Sequence, residues 1–132
     1  MANALYPIGK KGFLDADIDL SSDTIKAALI DTGTYTYSAA HDMWDDASAG
    51  VVGTPVALAS KTTTAGVFDS ADVTWTSVSG STVEAIILYK DSGTPSTSPL
   101  IAYYDTGITG LTLTPNGGNV TYTVHASGWF AL

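Results

Sequence analysis

The sequence predicts an all-β fold: a single-domain antiparallel β-sandwich or barrel-like fold with at most one short helix, near residues 39–47. Three observations carry this expectation. Apolar and polar residues alternate in segments that recur at short intervals with turn residues between them, the pattern of a sandwich or barrel. No stretch carries apolar residues at a convincing helical spacing. Of the thirteen acidic residues only Glu84 is a glutamate, and an excess of Asp over Glu favours turns and strands over helices.

Residues 1–14 read as an N-terminal arm. They combine Leu5, Tyr6, Pro7, Ile8 and Phe13 with the only paired lysines, Lys10 and Lys11. Pro7 and the glycines leave little strand or helix character, so the arm either orders by lying on a neighbour or adds an edge strand to its own sheet. Next, Asp15, Asp17 and Asp19 alternate with Ile18 and Leu20, which reads as a strand with its carboxylates in water. Thr24 to Asp31 is the first long strand. The segment from Ser38 to Gly50 holds the one candidate helix, with Met43 and Trp44 as a lid on the core.

Val51 to Ala59 follows, and Pro55 places it at an edge or an irregularity. Asp72 to Ser77 comes next, with Trp75 alternating with Val73. Thr82 to Lys90 is apolar on both faces at its middle and belongs at the centre of the sheet. There Val83, Ala85, Ile87 and Tyr89 share one face, and Glu84, Ile86, Leu88 and Lys90 the other. Leu100 to Tyr104 carries Ile101 and Tyr103 at period two. Asn119 to His125 points Val120, Tyr122 and Val124 inward and Thr121, Thr123 and His125 outward. The apolar ending Gly128 to Leu132 closes a sheet or meets another subunit. Gly, Asp, Asn, Pro and Ser punctuate the connections, as at Asp31 to Gly33 and Pro115 to Gly118.

At 132 residues the chain is one domain able to bury roughly two-thirds of its unfolded surface. With 45% apolar and 14% charged residues it is expected to fold without help. There is no cysteine, which excludes disulfides, thiolate metal sites and thiol nucleophiles. Neither an export signal nor a membrane span is expected. The net charge is −8 and all five bases are lysines. A nucleic-acid surface clusters Lys with Arg, so no direct nucleic-acid partner is expected, and the acidity serves solubility among crowded copies.

Candidate chemistry is sparse. The D-x-D-x-D opening at Asp15 departs from a calcium loop at the sixth and twelfth positions, where Leu20 and Lys26 stand for Gly and Glu. His41 lies near Asp42, Asp45 and Asp46, and His125 lies among threonines. Both read as solvated loop or surface histidines rather than as ligands or bases. No nucleophile elbow, P-loop or dinucleotide fingerprint occurs. No enzyme, cofactor or metal site is expected. Trp44, Trp75 and Trp129 offer a sugar-stacking reading, against which stands the need of a β core for large side chains.

Several segments together resemble small structural proteins of tailed bacteriophages, the capsid decoration or cement proteins. They are Gly12 to Leu14, Ile18 to Leu20, Asp23 to Thr32 and Tyr35 to Ser38 ahead of His41-Asp42. Gly66 to Phe68, Val73 to Thr76, Val78 to Gly80, Glu84 to Tyr89 and Ser98 to Tyr103 continue the likeness over most of the chain. The resemblance implies a non-enzymatic virion structural protein that binds the major capsid protein on the outer capsid surface and stabilises the head. It would be assembled in the host cytoplasm as a homo-oligomer, with a trimer implied. On this reading Leu5, Tyr6, Ile8, Lys10, Lys11 and Phe13 touch the shell or the next copy, and removing residues 2–11 leaves a folded monomer that no longer binds capsids. The alternative is a tail, neck or fibre component acting as a recognition module, with a carbohydrate as its ligand.

Overall fold

The structure, a computed structural model, describes residues 3–132, so the first two residues of the expected arm lie outside the described residues. Among the described residues nine strands and one α-helix follow in chain order: β1 (Ala4–Leu5), α1 (Pro7–Leu14), β2 (Ile25–Ile30), β3 (Val51–Ala57), β4 (Val67–Phe68), β5 (Val73–Trp75), β6 (Ala85–Lys90), β7 (Leu100–Tyr104), β8 (Val120–Tyr122) and β9 (Phe130–Ala131). All the pairings are antiparallel. The main sheet runs β1-β7-β6-β2-β3, and β4-β9 and β5-β8 form two small sheets. The arrangement is sandwich-like, with no closed barrel among the described residues. No helix among them is long and apolar enough to cross a membrane.

The main sheet is apolar on both sides because each side has its own cover. Ile25, Ala27 and Leu29 of β2 and Ile86 and Leu88 of β6 meet Phe68, Val73, Trp75 and Trp129 from the small sheets and the C-terminal segment. Ala28 and Ile30 of β2 and Ala85, Ile87 and Tyr89 of β6 meet Tyr35, Trp44 and Ala47 of the 31–50 segment. β6 lies at the centre and the Pro55 strand at the edge, as the sequence predicts. Val83 departs from its expected face: it lies before β6 begins, bridges Leu113 and packs with Ile86 and Leu88. In β7 the ladder slips where Leu88 and Tyr89 of β6 face Ala102 and Leu100. The slip puts Ile101 in one core and Tyr103 in the other, because one extra residue reverses the alternation of a strand.

Two expectations are corrected. Residues 7–14 are helical rather than an extended arm. Pro7 occupies the first turn, where its missing N–H is no loss, while β1 supplies the edge strand by pairing Ala4 and Leu5 with Tyr103 and Ala102. Gly9 and Gly12 are the buried face of α1. A Cβ on Gly9 would stand 2.9 Å from Ile101 Cα, so only glycine lets the helix lie on β7 this closely. In the 39–47 region the chain forms two short 3-10 turns, Trp44–Asp46 and Ser48–Gly50. Trp44 is nevertheless the expected lid, stacked on Tyr89 at 4.3 Å and 5°.

Candidate functional site

Two openings lie on opposite sides of the main sheet. The first is a cleft of about 390 Å³ between the end of α1 and the β4-β9 sheet, lined by Phe13, Ile18, Leu20, Phe68, Phe130 and Leu132. Phe13 stacks on Phe130 at 5.8 Å, and Phe130 meets Phe68 at 5.4 Å. Among the described residues two large apolar side chains remain exposed, Leu132 at 71%, which lines the cleft, and Leu14 at 88%, which follows the lining residue Phe13 in the chain. Lys10 lies one helical turn from Leu14 and is exposed, so the two share the outer face of α1. Lys11 is paired with Asp15, Lys26 with Asp91 and Lys90 with Asp23, and Lys61 donates to the Asp23 carbonyl. Among the described residues Lys10 has no such partner.

The six residues expected to touch a shell or another copy divide accordingly. Lys10 and Lys11 are exposed and Leu5, Ile8 and Phe13 are half-buried. Tyr6 is wholly buried, 0% exposed, with its hydroxyl 2.8 Å from that of Tyr35. It is therefore a core residue of its own chain and no contact residue. Leu14 and Leu132 carry the exposure that was expected of Leu5, Tyr6 and Ile8.

The second opening is a groove of about 390 Å³ lined by Tyr35, Tyr37 and Tyr103 with Thr32, Thr36 and Glu84, and closed by Asp105 and Thr112. Thr32 comes from the turn after β2 and Glu84 from the residue before β6, and the Thr32 hydroxyl donates to the Glu84 carboxylate. Tyr37 lies 5.0 Å from Tyr6 and 5.3 Å from Tyr103, its ring tilted by 42° and 44° against them. Burial, and then the Asp105 carboxylate, push the Tyr103 phenol well above its ordinary range. Burial raises Tyr35 as well. The Tyr35 and Tyr103 phenols are thus neutral hydrogen-bonding groups at physiological pH.

The polar constellations resolve into local structure. Asp15, Asp17 and Asp19 lie on no strand. Asp15 caps α1, and Asp19 accepts hydrogen bonds from the backbone N–H and hydroxyl of Ser21 at 2.9 and 2.6 Å. Those bonds hold its carboxyl down at about 2. Ile18 is buried as expected and Leu20 is half-buried. His41 is half-buried with Nδ1 2.9 Å from the Tyr35 hydroxyl, so it is a member of the tyrosine network rather than a solvated loop histidine. Asp46 accepts from the backbone N–H of Asp42 at 2.9 Å, which lowers its carboxyl. His125 is exposed and its Nδ1 accepts from Ser127 N–H at 3.0 Å. It adjoins β8, across the main sheet from His41, and the two do not meet. No group of three His, Asp or Glu among the described residues is placed to hold a metal ion. Trp44, Trp75 and Trp129 are all buried and form no surface platform.

No protein-family model and no curated protein matches this chain.

Proposed function

We propose that this chain is a non-enzymatic virion structural protein that binds the outer surface of a phage capsid through the major capsid protein and stabilises the head. The reading rests on the likeness described above, and one observation gives it a surface. Leu132 stands exposed in the lining of an apolar cleft, and Leu14 stands exposed next to Phe13 of that lining, with Lys10 on the same helix face as Leu14. Each leucine buried at a junction contributes about 1.5–3 kcal/mol, and a phenylalanine-lined cleft accepts an apolar side chain from the shell. Stabilising a shell in this way requires buried area and no chemistry. A homo-oligomer on the shell belongs to the same proposal.

The test is to mix the purified protein with undecorated heads and image them by cryo-electron microscopy. Regular surface density on the heads is expected for the wild type, and bare heads would remove the proposal. The Leu14→Asp variant is expected to fold, since Leu14 is 88% exposed, and to leave the heads bare. Full decoration by that variant would place the contact elsewhere on the domain.

A further inference from the structure

We infer that the tyrosine-walled groove is a carbohydrate-binding site for neutral hexopyranose units. The inference is independent of shell binding. Six of the eight lining residues carry a hydroxyl, Glu84 and Asp105 add carboxylate acceptors, and no Lys or His lines the groove. A sugar presents alternating hydroxyls that need both donors and acceptors, together with C–H faces that pack on aromatic rings. Thr32, Thr36 and Thr112 serve as donors and acceptors, Glu84 accepts a sugar hydroxyl beside that of Thr32, and the half-buried Tyr37 ring is the apolar wall, backed by the buried Tyr35 and Tyr103. An anionic sugar would meet Glu84 with no compensating base. A simple cation would have no use for the hydroxyls. The volume of about 390 Å³ falls within the roughly 300–1,000 Å³ of small-molecule sites.

Placement fits such a role. The cleft belongs to the core layer of Ile18, Phe68 and Phe130, and the groove to the layer of Tyr35, Tyr37 and Tyr103 on the other side of the main sheet. A molecule seated by its Leu14 and Leu132 surface turns the groove away from the seat and keeps it accessible.

The experiment is amide NMR of the labelled, intact protein titrated with maltose, cellobiose and chitobiose, with acetyl-arginine amide as the cationic comparison. At least one saccharide is expected to produce saturable shifts in the millimolar range at Thr32, Thr36, Glu84 and Tyr103. Glu84→Gln keeps a partner for the Thr32 hydroxyl yet loses the charge, and is expected to weaken binding roughly tenfold with an unchanged melting temperature. Tyr37→Ala is expected to abolish binding; if that variant fails to fold, Glu84→Gln alone decides. Leu14→Asp is expected to bind the saccharide as wild type does, so failure of the capsid reading leaves this one standing. Absence of saturable shifts with all three sugars, an unaltered affinity in Glu84→Gln, or movement of the same amides by acetyl-arginine amide alone would each overturn the inference.

Discussion

The hydroxyl of Tyr6 meets that of Tyr35 at 2.8 Å inside the fold, and Tyr35 in turn meets His41 Nδ1 at 2.9 Å. This chain of contacts ties the N-terminal segment to the loop that covers one face of the main sheet. The Tyr6→Phe substitution is expected to lower stability by about 0.5–1.5 kcal/mol, the net worth of one hydrogen bond. Tyr6→Ala is expected to lower it by about 3–5 kcal/mol, as for other large buried rings. Removal of residues 2–11 takes away Tyr6, β1 and more than half of α1, so the truncated chain is expected to unfold rather than persist as a folded monomer. Urea unfolding of the three variants, followed by tryptophan fluorescence, checks the order.

Gly9→Ala separates helix propensity from packing. In an exposed helix the change would stabilise by about 1 kcal/mol. Here the new Cβ would meet the backbone of β7 at 2.9 Å, and backbone cannot step aside, so a net loss of about 1–3 kcal/mol is expected. At Gly12 the obstruction is the Ile18 side chain, whose Cδ1 lies 2.5 Å from the built Cβ. A side-chain end can rotate, and Gly12→Ala is expected to be the milder of the two. Equal midpoints for Gly9→Ala and wild type in urea would refute the close approach of α1 to β7.

These residues also explain what the sequence made legible. β5 and β8 declare themselves because their apolar residues follow the strand period, and β2, β6 and β7 because they are short apolar runs bounded by turn residues. α1 does not, since the glycines that lower its helix propensity are the ones its packing on Ile101 and Ile18 requires. The usable signal was Pro7 at a helix start. The two-residue strands β1, β4 and β9 are too short for any period to register. The groove was hidden for another reason: Thr32 and Glu84 are brought together across 52 positions, and no local pattern announces such a meeting.

Trp75 fills a gap in the ladder. Between Ala27 and Leu29 the β2-β3 pairing slips, and the Trp75 indole donates to the Ala27 carbonyl at 3.0 Å. Trp75→Phe is expected to destabilise by more than its lost volume, since it leaves the carbonyl without the indole donor in an apolar core, at about 1–3 kcal/mol for the unsatisfied group. Amide exchange of β2 and β3 measures it: faster exchange confined to this pair is the expected local signature, and unchanged exchange would show that the bond is dispensable.

On the acid side, Asp91 is held low first by its hydrogen bond from Lys26, and Asp19 at about 2 by Ser21. A depressed folded value means that the charged form favours the fold. Their contribution is complete above the ordinary value of 3.8 and is lost as pH falls through the lowered values. Replacing Lys26 by Met is expected to reduce this acid sensitivity, because Asp91 then loses its partner at every pH. Melting temperatures of the two proteins are expected to converge below pH 3.8; a constant gap between them would show that the pair does not titrate with folding.

The alkaline limb has the opposite sign. Burial raises the phenols of Tyr6, Tyr35, Tyr103, Tyr104 and Tyr122 above the ordinary value of 10.0, and brings Tyr89 to about 12. A raised folded value means that the neutral form favours the fold. That stability is fully present below pH 10.0 and is lost as pH rises beyond it, because the unfolded chain ionises there while the folded one resists. Tyrosinate absorbance is therefore expected to lag until the fold gives way and then to rise together with the loss of near-ultraviolet dichroism. If most tyrosines instead ionised near pH 10 with the dichroism intact, the tyrosines would not be sealed within the two layers that cover the main sheet.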